Sequence, residues 1–189
     1  ISGAGAVSDD PADTYVKETA ASEDSSINLW FEHSFKKVLT EDKTPSGMNT
    51  YSVYMAKNEV ENAQFVLYSD TDHTKMKAQV SDFTDANGNT VPAELYYEMY
   101  ITTENLNTAG VLGATGDSDS IIRAGETPDP VVPFSSVGSF KLNAGKSQAF
   151  FIKLRTSENT PSGWYSARLD ILDSNGNQVK TATVFAYVW

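Results

Sequence analysis

Few side chains in this sequence could do covalent chemistry. There is no cysteine, so thiolate nucleophiles, disulfides and Cys-ligated metals are excluded together. His33 and His73 are the two imidazoles available to activate a nucleophile or bind a metal. His33 stands in a strand-like run and His73 in the polar stretch Asp70-Thr71-Asp72-His73-Thr74, where both read as structural or solvated. Asp72 and His73, adjacent and without a third ligand, do not make a metal site. Acidic groups number 25, yet only Glu98, in LYYEMYI, has an apolar setting able to raise its pKa for acid catalysis. Glu59 and Glu61 flank a strand start in MAKNEVENAQF and are expected to hydrogen-bond loop backbone. No Gly-rich phosphate loop opens a helix, and no cofactor is implied. Catalytic residues are therefore expected to be absent, and binding takes precedence over catalysis.

The chemistry that remains is aromatic stacking. A Trp or Tyr ring lies flat on the CH face of a sugar and adds a polar edge. In NTPSGWYSARLD, Tyr165, Ala167, Leu169 and Ile171 alternate with Trp164, Ser166, Arg168 and Asp170, so Trp164 falls in the outward, polar set. It is the leading carbohydrate-binding candidate. Trp30, in NLWF, is a second, although a core Trp is the commoner outcome. Tyr96 and Tyr100 share a strand face with Glu98, while Tyr97 and Met99 share the other. Such a stripe serves cross-strand packing as readily as ligand binding. Polar partners for sugar hydroxyls are sought in the long connection that follows: Asn105, Asn107, Asp117, Asp119 and Arg123.

These residues need a frame, and the frame reads as strands. Tyr51 to Ala56, Glu61 to Ser69, Met76 to Phe83, Glu94 to Thr102, Ser147 to Thr156, Trp164 to Leu172 and Val179 to Trp189 are rich in β-branched and aromatic residues. Ile27 to Leu39 begins as a strand and is expected to finish as a short helical turn around Ser34 to Val38. Asp85-x-Asn-Gly-Asn and Asp173-x-Asn-Gly-Asn supply the positive φ that tight hairpins need. Their spacing does not fit an EF-type calcium loop, which wants Gly sixth and Glu twelfth. The fold class is all-β: an antiparallel, immunoglobulin-like or jelly-roll-like β-sandwich over residues 27–189 with one long loop, Thr103 to Ser139. That loop is either a specificity element or a cover strapped across one sheet by Val131, Val132 and Phe134. Residues 1–26 are acidic, small and Ala/Ser-rich, and read as a tail or linker. A net charge of −11 disfavours nucleic acid as a partner, and no apolar run is long enough for membrane insertion as a helix.

Four segments, SINLWFEHSFKKVLTED, AKNEVENAQFVLYS, PDPVVPF and KLNAGKSQAFFIKLRTSENTPSGWYSARLDIL, resemble the N-terminal β-sandwich domain of β-N-acetylgalactosaminidase-like glycoside hydrolases. The resemblance implies that Asn58, Glu59, Glu61 and Gln64 are structural and that the catalytic acids belong to a barrel outside this sequence. It also implies that Tyr165 takes the packed position after the turn and that Trp164 replaces a small residue. The expected function is a noncatalytic carbohydrate-binding module of a secreted or cell-surface polysaccharide-degrading protein, with an α-glucan such as starch slightly favoured. The alternative is a structural module that orients a neighbouring catalytic or adhesive domain. Expected partners are an oligo- or polysaccharide and neighbouring domains of a larger chain.

Overall fold

The computed structural model describes residues 10–103 and 125–189. A five-stranded sheet runs in the order β1 (Ile27–Glu32), β3 (Val60–Ser69), β10 (Lys146–Arg155), β7 (Ala93–Thr103), β8 (Gly125–Pro133). Facing it, a seven-stranded sheet runs β2 (Tyr51–Met55), β12 (Gln178–Val188), β11 (Gly163–Leu172), β4 (His73–Val80), β9 (Phe140–Leu142). The short β5 (Phe83–Asp85) attaches to β11, and β6 (Thr90–Val91) to β5. The sandwich is antiparallel except for one pair, since β2 runs parallel to β12.

The core between the sheets is built by alternation. Phe65 and Leu67 from β3, Phe150 and Ile152 from β10, and Tyr165, Ala167, Leu169 and Ile171 from β11 point inward and are buried. Phe65 and Phe150 stack at 4.9 Å with their planes 2° apart. Tyr97 joins this core edge-on to Phe150, which assigns Tyr96, Glu98 and Tyr100 to the outer face.

Both Asn-Gly hairpins form as their chemistry requires. Asp85 Oδ1 accepts from the Asn87 and Asn89 N–H groups at 2.9 and 2.8 Å, and Asp173 does the same for Asn175 and Asn177. Glu59 accepts from the Ala56 N–H, the loop-backbone role expected of it.

Three expectations are corrected. No helix follows β1: the chain makes a turn in which Lys36 N–H donates to His33 O at 2.9 Å. The expected long loop is strand from Gly125 to Pro133, and Phe134–Val137 forms a single helical turn, α1, that buries Phe134. Proline masked that strand, because Pro128, Pro130 and Pro133 remove ladder donors and suit only a sheet edge, where β8 lies. The segment Asp10–Ser26, read as a tail, is held along the outer face of β12. It is fastened by polar bonds: Ser22 and Asp24 N–H to the Gln178 and Val179 carbonyls at 3.0 and 3.1 Å, Thr183 Oγ1 to Glu18 at 2.7 Å, and a Glu23–Lys180 ion pair. Its low apolar content gave no sign of this, since polar pairing holds it.

Candidate functional site

Gly163, at φ 138°, takes a backbone conformation open to glycine and hands the chain into β11. Tyr165 turns inward, 1% exposed, and its hydroxyl donates to Pro161 O at 2.8 Å. Trp164 therefore turns outward, as its place in the alternation predicts. The sheet register sets Trp164 opposite Tyr187, and Tyr187 opposite Tyr54, so three adjacent strands deliver three rings to one row. Trp189, one step beyond β12 on the same face, adds a fourth.

The four rings converge. Trp164 lies 5.0 Å from Tyr187 and 5.7 Å from Tyr54, and Tyr187 lies 5.0 Å from Trp189, all edge-on with interplanar angles of 62°, 71° and 78°. Trp164 is half-buried, whereas Tyr54 and Trp189 are 43% and 51% exposed. Beside Tyr54 runs a groove of about 430 Å³, part polar and part apolar, whose lining includes Asp10, Asp13, Asn49, Ser52, Met48 and Tyr51. Desolvation pushes the Asp10 carboxyl up, but hydrogen bonds from Tyr54, Ser52 and the Ala12 N–H outweigh it and hold the group below the usual carboxylate range. The same bond, with some desolvation, pushes the Tyr54 phenol up to about 12. At neutral pH the pair is thus a carboxylate accepting from a neutral phenol.

Trp30, Tyr96 and Tyr100 lie on the opposite face of the sandwich. Trp30 is 2% exposed, packed with Val38, Val66, Tyr68 and Ala149, and its Nε1 donates to Glu32 at 3.1 Å. No face of its ring is open to a ligand, which removes it from the site. Tyr100 is tied to the covering segment by its hydroxyl, which donates to Val38 O at 3.1 Å. Tyr96 borders a shallow groove of about 410 Å³ with Asn62, Val131, Phe151 and Lys153. The Lys153 ammonium stands 5.1 Å from the centre of the Tyr96 ring, and the Tyr96 hydroxyl donates to Glu94 at 2.9 Å. The structure does not bring Tyr96 and Tyr100 together with Trp164. Glu98, between them, is 7% exposed, and burial pushes its carboxyl up to about 7, with Asp129 adding to the shift and Lys37 opposing it. Asn105, Asn107, Asp117, Asp119 and Arg123 lie outside the described residues. His73 Nε2 sits 3.0 Å from Ser69 Oγ and 3.1 Å from Thr71 Oγ1, a structural setting. Among the described residues no group of acids and imidazoles could hold a metal ion.

Sequence reasoning missed Tyr54, Tyr187, Trp189 and Asp10. Tyr187 and Trp189 were legible: in TVFAYVW, Phe185, Tyr187 and Trp189 alternate with Val184, Ala186 and Val188 just as Trp164 alternates with Tyr165.

The sequence pattern of the glycoside hydrolase 123 N-terminal domain matches residues 30–173. This chain belongs to that family. Among solved structures, the family 123 domain is similar to a family 123 glycoside hydrolase from Clostridium perfringens, studied for glycolipid glycan hydrolysis. The TM-score is 0.62 and the identity 15%, over 87% of this chain and 27% of that one. The family 123 domain thus spans about a quarter of that enzyme's length, and at this identity the likeness establishes the shared β-sandwich. A Niemann-Pick type C2 protein from Japanese carpenter ant matches far more loosely, at a TM-score of 0.36 and 10% identity over 93% of this chain and 100% of that one. No curated protein is similar to the family 123 domain in sequence.

Proposed function

We propose that this domain is a noncatalytic carbohydrate-binding module serving a larger glycan-degrading protein, with Tyr54, Trp164, Tyr187 and Trp189 as its stacking surface. The observation that carries the reading is the convergence of four aromatic rings on an outer sheet face beside a hydrogen-bonding groove. Apolar rings supply contact area, and a few polar groups fix orientation, which is the composition of a sugar site. The tilts narrow the ligand. A flat ribbon of sugars requires coplanar rings, whereas the rings of this row are inclined to one another by 31° to 78°, which suits a curved chain or a chain end. An α-glucan such as starch has that curvature. Membership in the glycoside hydrolase 123 N-terminal family supports the accessory role, with catalysis assigned to another domain. A polymeric ligand would favour a secreted or surface-bound protein, and that location belongs to the proposal.

One observation favours a second reading. Trp189, half-exposed at the end of β12, continues the aromatic surface toward any domain that follows, so the row could instead pack against that neighbour and orient it. Affinity electrophoresis separates the two readings. Retardation of the wild type in gels containing starch, lost in Trp164→Ala, supports binding. Unaltered mobility of the wild type in starch, xylan and β-glucan supports the orienting role.

A further inference from the structure

Asp10 stands where the N-terminal segment reaches the aromatic row. Its Oδ2 accepts from the Tyr54 hydroxyl at 2.6 Å, and its Oδ1 accepts from the Ser52 hydroxyl at 2.7 Å and from the Ala12 N–H at 2.8 Å. The last bond caps the 3₁₀ turn Pro11–Thr14 and fixes the direction of the carboxylate. An ionised carboxylate has about four acceptor positions, and these protein donors fill three. The remaining capacity belongs to Oδ2, the oxygen that holds the edge ring of the row, and Asp10 lines the groove together with Asp13 and Asn49. Stacking provides area without fixing how a sugar is turned, and a charge-assisted hydrogen bond provides what stacking lacks.

We propose that Asp10 orients the bound sugar, accepting a hydrogen bond from a sugar hydroxyl through Oδ2 while its other bonds fix Ser52 and the Tyr54 ring. The N-terminal segment is then part of the binding site, because it delivers this carboxylate across the sheet. Its fastenings explain how it holds station: the Tyr15 ring sits edge-on to Phe185 at 6.0 Å, the Tyr15 hydroxyl accepts from the Thr183 N–H at 3.2 Å, and Arg168 pairs with Glu18 at 3.4 Å. This inference rests on the carbohydrate-binding reading, and one experiment separates their failures.

Wild type, Asp10→Ala, Asp10→Asn and Trp164→Ala are titrated calorimetrically with maltoheptaose. Wild type and Asp10→Ala are also titrated with maltotriose derivatives that each lack one hydroxyl. Asp10→Ala is expected to weaken binding about 10- to 100-fold, as for loss of a hydrogen bond to a charged group, and Asp10→Asn by less. One deoxy derivative should lose affinity for the wild type and lose none further for Asp10→Ala, a coupling that a purely structural role would not produce. Loss of binding in Trp164→Ala with Asp10→Ala within about twofold of wild type overturns the role of Asp10 alone. So does a set of deoxy penalties that is the same in both proteins. Failure of the wild type to bind maltoheptaose, or unchanged binding by Trp164→Ala, overturns the α-glucan-binding reading and this inference with it.

Discussion

Trp30 on β1 and Trp164 on β11 both sit on outward positions of alternating strands, one on each outer face of the sandwich. Trp30 is 2% exposed and locked in a satellite core, while Trp164 is half-buried in a row whose flanking rings reach solvent. The difference comes from what crosses each face. The segment after β1 returns over the five-stranded sheet and seats Val38 on Trp30, Val66 and Tyr68. Over the seven-stranded sheet, among the described residues, the N-terminal segment covers Phe185 and Thr183 with Tyr15 and Glu18, and meets the aromatic row at its edge through Asp10. Alternation decides which face a ring takes. Connections far away in sequence decide whether that face stays open.

Breaking this contrast most directly means truncating both rings. Trp30→Ala should cost about 3–5 kcal/mol in urea unfolding, as for other large core aromatics, because it empties a sealed site. Trp164→Ala should cost roughly 1 kcal/mol or less, as for a partly exposed residue. Equal losses would mean that the two faces are equally covered.

A second test uses pH on the covered face. Below pH 4.5 Glu98 holds its proton in both the folded and the unfolded chain. As pH rises, the unfolded chain ionises first while the folded chain keeps its proton up to about 7, so stability falls across that window and then levels off. The loss from this group should be on the order of 3 kcal/mol. Glu98→Gln should flatten that part of the profile, leaving the variant more stable than wild type at pH 8 and little changed at pH 4. A profile identical to wild type would show that Glu98 is solvated and the cover loose.

Gln64 sharpens the same point. It is 0% exposed, and among the described residues neither amide atom has a hydrogen-bond partner. Gln64→Met should raise stability by about 1 kcal/mol, since an unpaired buried amide carries its full desolvation cost. The smallest expected effect is that of Tyr100→Phe. It removes the bond to Val38 O and should cost about 0.5–1.5 kcal/mol without altering glycan binding.

The sandwich was legible because β-branched and aromatic residues mark its strands: β10, β11 and β12 lie within a residue or two of where their patterns place them. The turns were legible too, since Asn-Gly and Pro-Ser-Gly dictate their own backbone. The edge strand β8 was hidden by its prolines, which lower strand propensity wherever they occur and are tolerated only at an edge, a position that sequence does not reveal. The order of Asp10–Ser26 was hidden because its partners, Gln178, Lys180 and Thr183, lie at the far end of the chain. Half of the site was readable for the same reason as the fold: Trp164 announced itself by its outward position, as Tyr187 and Trp189 also do. That Trp30 would be covered, and that Asp10 would be delivered to Tyr54, depended on long-range crossings that carry no local signal.

The central claim is that the indole of Trp164, and not that of Trp30, meets a sugar. The three tryptophans give three indole N–H signals in an ¹H–¹⁵N correlation spectrum, assignable by Trp→Phe variants. On titration with maltoheptaose, the Trp164 and Trp189 signals should shift in saturable fashion while that of Trp30 stays in place. A titration in which the Trp164 signal does not move, or in which Trp30 alone responds, would contradict the account.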